Sequence, residues 1–298
     1  MSIVYIVNPV PFHYEIIESV IRGYPSILGA IQNPVTIYLN VFHDISFQEY
    51  IEEKFPDIVF GVPENYDFMI NCTIYSNTRM KRRSNDPHDF NPTVPNHFYI
   101  CHETCRRFKM FPNILFVAPS SYKKRFSLSH LPFSESAPRK TPYPIFAVQG
   151  NIHGYRRDFQ SLAKILKHVP SHYIFYVKLL GRGKLPQCLI PFRSKIIFKN
   201  NLNFIDYHRE FLDVYCLLPL LSPSKTPQYF KNKLSSSISY IESYKLRSLM
   251  HEALHDRYPD LENVYTYTSF PEMLQQFVML LDQFYVSKPQ SNLSLIHI

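Results

Sequence analysis

Glycine is scarce in this chain, seven in 298 residues, so each one is a candidate for a backbone position that no other residue can take. Cysteine is scarce as well. Cys72, Cys101, Cys105, Cys188 and Cys216 form an odd, scattered set, which reads as reduced thiols of an intracellular protein and not as a disulfide framework. Cys101 and His102 with Cys105 lack the second pair that a closed zinc site needs. No apolar run approaches the roughly 20 residues of a membrane span. The start, MSIVYIVNPV, has no basic stretch and is interrupted by proline, so it reads as a first strand and not as a signal peptide. There is no G-x-G-x-x-G and no G-x-x-x-x-G-K-[ST], which argues against nicotinamide dinucleotides and P-loop nucleotide hydrolysis. There is no Asp-x-Asp pair either, and DPHD at 86–89 reads as loop, so no metal–diphosphate motif is present.

What the chain does have is apolar bulk and positive charge. It is 45% apolar with 22 Tyr and 24 Phe, ample for packed cores. The formal charge of +8 suits an acidic partner (nucleic acid, anionic lipid or a phosphorylated small molecule) and equally a solubilising surface.

Short apolar runs alternate with amphipathic segments, the pattern of parallel sheets covered by helices. In the first part, strands are expected at 3–7, 35–42, 66–75, 97–103 and 114–121, with helices over 13–24 and 46–55 and a long polar loop over 76–96. LPFSESAPRKTPYP, 131–144, carries four prolines and little to bury, so it reads as a connection between domains. Beyond it, strands are expected at 145–152, 172–181, 195–200, 215–221 and 263–269. Helices are expected over 156–169, 204–214, 238–258 and 271–286. The expected division is an N-terminal Rossmann-like domain over 1–130, the linker, a C-terminal Rossmann-like domain over 145–287 and a tail over 288–298. LSLIHI in that tail resembles translated sequencing-adapter DNA and is set aside.

In an open parallel sheet, ligands bind beyond the carboxyl ends of the strands. Two glycine clusters fall at such ends, each beside basic residues. FAVQGNIHGYRRDF, 146–159, places Gln149, Gly150 and Asn151 before Arg156 and Arg157, which are expected to open a helix. KLLGRGK places Gly181 among Lys178, Arg182 and Lys184. Glycine lets a ligand approach the backbone, a helix start presents N–H groups, and Arg and Lys hold phosphate, so the pair reads as a diphosphate site. The alternative is turn glycines beside solvated cations. A third candidate is the helix start at Lys233, Ser235, Ser236 and Ser237, where hydroxyls either meet an anion or simply cap. In the first domain, His13 follows one strand, and His102 with Glu103 follows another. Histidine there can accept a proton from a hydroxyl nucleophile, or can be structural.

QGN followed by RRDF, then LLGRG, then a Lys-Leu-Ser helix start, in two Rossmann-like halves, resembles a GT-B glycosyltransferase of the family-4-like group. The resemblance implies two domains facing a cleft, with a nucleotide diphosphate sugar as donor, no cofactor and no metal. It implies that Gly150 with Arg156 or Arg157, and Lys178 or Lys184, hold the diphosphate. It further implies that the helix at Ser235 meets the donor, and that the first domain holds a glycan, protein or lipid hydroxyl acceptor near His13 and His102. The expected place is the cytoplasm, with peripheral membrane contact allowed. The family's two glutamates, eight positions apart, are not both present: Met250 stands eight positions after Glu242. A catalytically silent nucleotide- or glycan-binding protein is therefore the alternative. A basic nucleic-acid-binding protein is a further one, and no RNP, KH or zinc-finger pattern supports it.

Overall fold

In the computed structural model the described residues are 1–8, 14–29, 31, 34–41, 44–74, 91–102, 110–117, 133 and 136–287. They form two compact units. The first comprises the described residues of Met1–Glu135 together with Leu202–Arg209 and Gln228–Tyr244; the second comprises Ser136–Asn201, Glu210–Pro227 and the described residues of Lys245–Ile298.

The first unit grows from the apolar run after Met1. β1 (Ser2–Asn8) is followed by α1 (Tyr14–Leu28), β2 (Val35–Val41), α2 (Ile45–Lys54), β3 (Ile58–Phe60), β4 (Phe68–Ile74), β5 (His97–Cys101) and β6 (Ile114–Phe116). The strands pair in parallel in the order β3-β2-β1-β4-β5-β6. This is the doubly wound Rossmann order, with its reversal between β1 and β4. Both faces of β1 are buried: Val4 and Ile6 meet Ile16, Ile17, Val20 and Ile21 of α1, while Tyr5 and Val7 pack with Met69 and Tyr99. That two-sided burial explains why β1 reads as continuous apolar sequence.

The chain beyond the first sheet repeats the plan. β7 (Ile145–Ile152), α3 (Phe159–His168), β8 (Tyr176–Gly183), a 3-10 segment (Gln187–Lys195) and β9 (Ile196–Asn200) precede α4 (Phe204–Arg209) and β10 (Cys216–Leu217). Then come α5 (Ser236–Ser243), β11 (Arg247–His251), α6 (Glu252–His255), β12 (Val264–Tyr267) and α7 (Phe270–Val286). Its six parallel strands run β12-β11-β10-β7-β8-β9, the same order with the reversal between β7 and β10. Phe146, Val148, Leu162, Leu166, Leu179, Phe277 and Leu280 meet in its core. α7 begins with Ser269 capping the Glu272 N–H, while Glu272 accepts from the Thr268 N–H at 2.7 Å and Pro271 sits in the first turn.

Two sequence expectations change here. The helix expected over 238–258 stops at Ser243. Lys245 takes φ +50, and Arg247–His251 becomes a strand between β10 and β12, because a buried parallel strand and a buried helix look alike in apolar content. The C-terminal domain expected over 145–287 is also interrupted, since α4 and α5 belong to the first unit. Phe204 is the reason. It packs edge-on against Phe47 (centroids 4.8 Å apart) and Tyr14 (5.6 Å), and the Ile205 N–H donates to Ser46 Oγ at 3.4 Å. Within this packing, His208 is fully buried between Phe204 and Tyr240, and its Nδ1 lies 2.9 Å from the Tyr244 hydroxyl.

Desolvation drives the His208 pKa down to about 3, with Glu15 opposing weakly. The unfolded chain, near 6.5, then binds the proton first, so this group makes stability fall as pH drops from 6.5 towards 3. Unfolding at pH 5 is expected to need about 2 kcal/mol less than at pH 7 from His208 alone. Chemical denaturation of the wild type and of His208→Gln across that range checks this, the variant losing that part of the slope.

Candidate functional site

The carboxyl edge of the second sheet is shaped by glycine. β7 and β8 stay in register to their ends, with Gly150 opposite Gly181, Asn151 opposite Arg182 and Ile152 opposite Gly183. Gly150, Gly181 and Gly183 have φ of +101°, +147° and +140°. A Cβ at Gly181 would overlap the Gly150 carbonyl, and one at Gly183 would lie 2.7 Å from the Ile152 oxygen. At 181 and 183, therefore, the neighbouring strand explains the glycine, where the sequence suggested approach of a ligand.

Arg156 and Arg157 do not open a helix, since α3 begins at Phe159 with Asp158 before it. The two arginines differ in role. Arg157 is buried and folded back: its Nη2 donates to the Gln149 carbonyl at 2.9 Å and its Nη1 to the Arg156 carbonyl at 3.2 Å. A Cβ at Gly150 would come within 3.0 Å of that guanidinium. Arg157 thus braces the loop after β7. Arg156 is exposed.

The loops after β7 and β10, on either side of the sheet reversal, are tied together. The Asp158 N–H donates to the Leu220 carbonyl at 2.8 Å, and Lys225 Nζ meets the Asp158 carboxylate at 2.5 Å. Burial would raise the Asp158 pKa, but the Lys225 and Ser161 hydrogen bonds prevail and hold it below the ordinary value. This pair fixes the rim of the crevice where open sheets take their ligands.

Lys178 is a correction. It lies in mid-strand, 2% exposed, with Nζ 2.7 Å from Glu210 Oε2 and 2.5 Å from Asp213 Oδ1. Those carboxylates engage its charge, so it does not join the cations at the strand ends. Arg182 and Lys184 remain exposed there with Arg156. Gln149 is buried, and Asn151 Oδ1 is buried with no hydrogen bond among the described residues.

In the first unit the equivalent edge carries a polar cluster that the sequence reading only partly found. Thr73 Oγ1 donates to Asn8 Oδ1 at 2.7 Å, the Thr73 N–H donates to Asn71 Oδ1 at 3.1 Å, and His102 Nε2 lies 3.5 Å from Thr73 Oγ1. All four side chains are buried. They stand at the ends of β1, β4 and β5, on both sides of the reversal. His102 Nε2 also lies 3.3 Å from the Cys72 carbonyl, which can only accept, so that contact needs a proton on Nε2. Asn8 was findable, as the polar residue ending an apolar run. Thr73 was not, because nothing in NCT announces which strand it faces. His13 and Glu103 lie outside the described residues.

At the start of α5, Ser235 is buried, makes no side-chain cap, and its Oγ has no hydrogen bond among the described residues. Ser237 is buried, Ser236 is half-buried, and the Lys233 ammonium lies 6.0 Å from the centre of the Tyr229 ring. These residues belong to the first unit, whereas the sequence placed them with the glycine clusters. Among the described residues no three His, Cys, Asp or Glu gather as metal ligands would, and no helix is long and apolar enough to cross a membrane.

No protein-family model matches this chain, and no curated protein does. Solved structures do match in fold. AviGT4, a glycosyltransferase involved in avilamycin A biosynthesis, is similar over 96% of both chains with a TM-score of 0.54 and 11% identity. Anabaena Alr3699/HepE, solved with UDP and glucose, is similar over 95% of this chain and 90% of its own, with a TM-score of 0.54 and 9% identity. The fold is that of GT-B glycosyltransferases: α/β, with two Rossmann-like sheets.

Proposed function

We propose that the protein is a glycosyltransferase that moves a sugar from a nucleotide diphosphate sugar to a hydroxyl acceptor. One observation carries this reading. At the carboxyl ends of the neighbouring strands β7 and β8, exposed Arg156, Arg182 and Lys184 stand beside a loop braced by Arg157 and by the Asp158–Lys225 pair. Cations held on a rigid edge are what a departing diphosphate needs, because stabilising charge that develops in the transition state is a large catalytic contribution. That the neighbouring AviGT4 is a glycosyltransferase, and that Alr3699/HepE was solved with UDP and glucose, supports the same reading.

In the reaction, the acceptor oxygen bonds to the anomeric carbon, the bond from that carbon to the diphosphate oxygen breaks, and the nucleoside diphosphate leaves with the electron pair. The hydroxyl proton goes to a general base, the role proposed for the His102 imidazole. Ser235 Oγ, buried and without a hydrogen bond among the described residues, takes one from the substrate. In this reading Arg156, Arg182 and Lys184 offset the leaving charge, so the chemistry calls for no metal ion, and the expected place of action is the cytoplasm.

Calorimetric titration with UDP, GDP, ADP and CMP at two salt concentrations tests the donor site. One nucleotide is expected to bind in the micromolar range, with Arg156→Ala and Arg182→Ala each weakening it by about tenfold, near 1.4 kcal/mol. No binding to any of them rejects the reading. Binding without turnover of the matching nucleotide sugar, across a panel of hydroxyl acceptors, would leave a nucleotide-binding protein.

A further inference from the structure

The loop between β7 and α3 presents an aromatic surface that the diphosphate does not account for. Tyr155 is 67% exposed. Its ring lies parallel to that of His153, with centroids 5.6 Å apart and 8° between the planes. The Arg156 guanidinium carbon sits 5.6 Å from the Tyr155 ring centre. The Arg156 N–H donates to the His153 carbonyl at 2.8 Å, closing the turn that holds all three. Gly154 lies between them, and a Cβ there would meet no residue other than its two chain neighbours within 4 Å. Asp158, bonded to Leu220 and Lys225, anchors the far end of the loop.

A single exposed tyrosine means little. A tyrosine aligned with an imidazole, carrying a guanidinium and standing on the loop that leaves β7 at the sheet reversal, is a different object. Its surface is flat, aromatic and cationic at once. A planar ring joined to phosphates fits that description, since stacking on aromatic and guanidinium faces is available to every nucleobase. We infer that the His153–Tyr155 pair is the platform on which the nucleobase of the donor stacks, with Arg156 placed between base and phosphates. The inference rests on the nucleotide-sugar reading and adds where the base goes.

The chain contains no tryptophan, so Tyr155→Trp installs a single indole on the platform, which can be excited apart from the tyrosines. The test compares wild type, Tyr155→Leu and Tyr155→Trp against UDP, GDP, ADP, CMP and inorganic pyrophosphate. Tyr155→Leu is expected to weaken the preferred nucleotide at least tenfold while leaving pyrophosphate affinity unchanged. Tyr155→Trp is expected to keep nucleotide affinity, and its emission is expected to change with nucleotide and not with pyrophosphate. Equal affinity of Tyr155→Leu and wild type for the nucleotide overturns the stacking platform and leaves the donor site standing. So does a parallel loss of pyrophosphate and nucleotide. A wild type that binds pyrophosphate and all four nucleotides alike also rejects the platform. A wild type that binds none of the five rejects the donor reading and the platform with it.

Discussion

Lys178→Ala is expected to destabilise the second unit by about 3–5 kcal/mol, the range for breaking a buried ion pair from one side. The ammonium is 2% exposed and lies 2.7 Å from Glu210 Oε2, 2.5 Å from Asp213 Oδ1 and 3.1 Å from the Glu210 carbonyl. Removing it leaves two carboxylates, each at most a quarter exposed, with Lys199 3.1 Å from Glu210 as the remaining ion pair among the described residues. Burial would raise the Glu210 pKa, but Lys178 and Lys199 outweigh it and hold the group below its ordinary value. Its contribution to stability is therefore present above the unfolded carboxylate range and is lost as pH falls below that range, through the lowered folded value. Urea unfolding followed by circular dichroism measures the effect. The triple replacement Lys178→Met, Glu210→Gln, Asp213→Asn is expected to recover most of the loss, because no unpaired charge remains. A Lys178→Ala protein with the wild-type midpoint but weakened nucleotide binding would return this lysine to the ligand site.

Gly181→Ala is expected to be the most damaging single methyl in the chain, costing at least about 3 kcal/mol or preventing soluble expression. Two penalties coincide at that position. The backbone sits at φ +147°, where residues with a Cβ are strained, and the added carbon would overlap the backbone carbonyl of Gly150 on the paired strand. A side chain can swing aside from a new methyl, but a ladder carbonyl cannot move without breaking the β7–β8 pairing. Gly154→Ala is the matched control. Its Cβ meets nothing within 4 Å, so a change within about 0.5 kcal/mol is expected. Thermal denaturation of the two variants side by side separates them, and equal melting temperatures would show that the strand ends part more easily than this geometry allows.

The same two positions show how far the sequence reaches. Rarity and a place at expected strand ends beside basic residues marked Gly150, Gly154, Gly181 and Gly183 as a set, yet a Cβ at Gly154 would meet nothing beyond its chain neighbours and one at Gly181 would overlap a backbone carbonyl. Sequence records that a residue lacks a side chain. It does not record what stands where the side chain would be, because that neighbour, the Gly150 carbonyl, is about 30 positions away along the chain.

Charge behaves likewise. Arg156 and Arg157 are adjacent and chemically identical, and the structure turns one out to solvent and folds the other onto the Gln149 carbonyl. Lys178 reads as a third cation of the cluster until β8 is assembled and its mid-strand position places it beside Glu210 and Asp213.

What the sequence by itself determined was the alternation of buried strands with amphipathic helices, hence the α/β class and the two Rossmann-like sheets. It also located strand ends rich in glycine and positive charge. Those follow from local periodicity and composition, which do not depend on distant partners. Tertiary structure alone decided that 247–251 is a strand, that Phe204 carries α4 into the first unit, and that Asn8, Thr73 and His102 converge. Each depends on residues tens of positions apart meeting in space. Burial and pairing, which set the role of an arginine, a lysine or a glycine, exist only once those distant segments are packed.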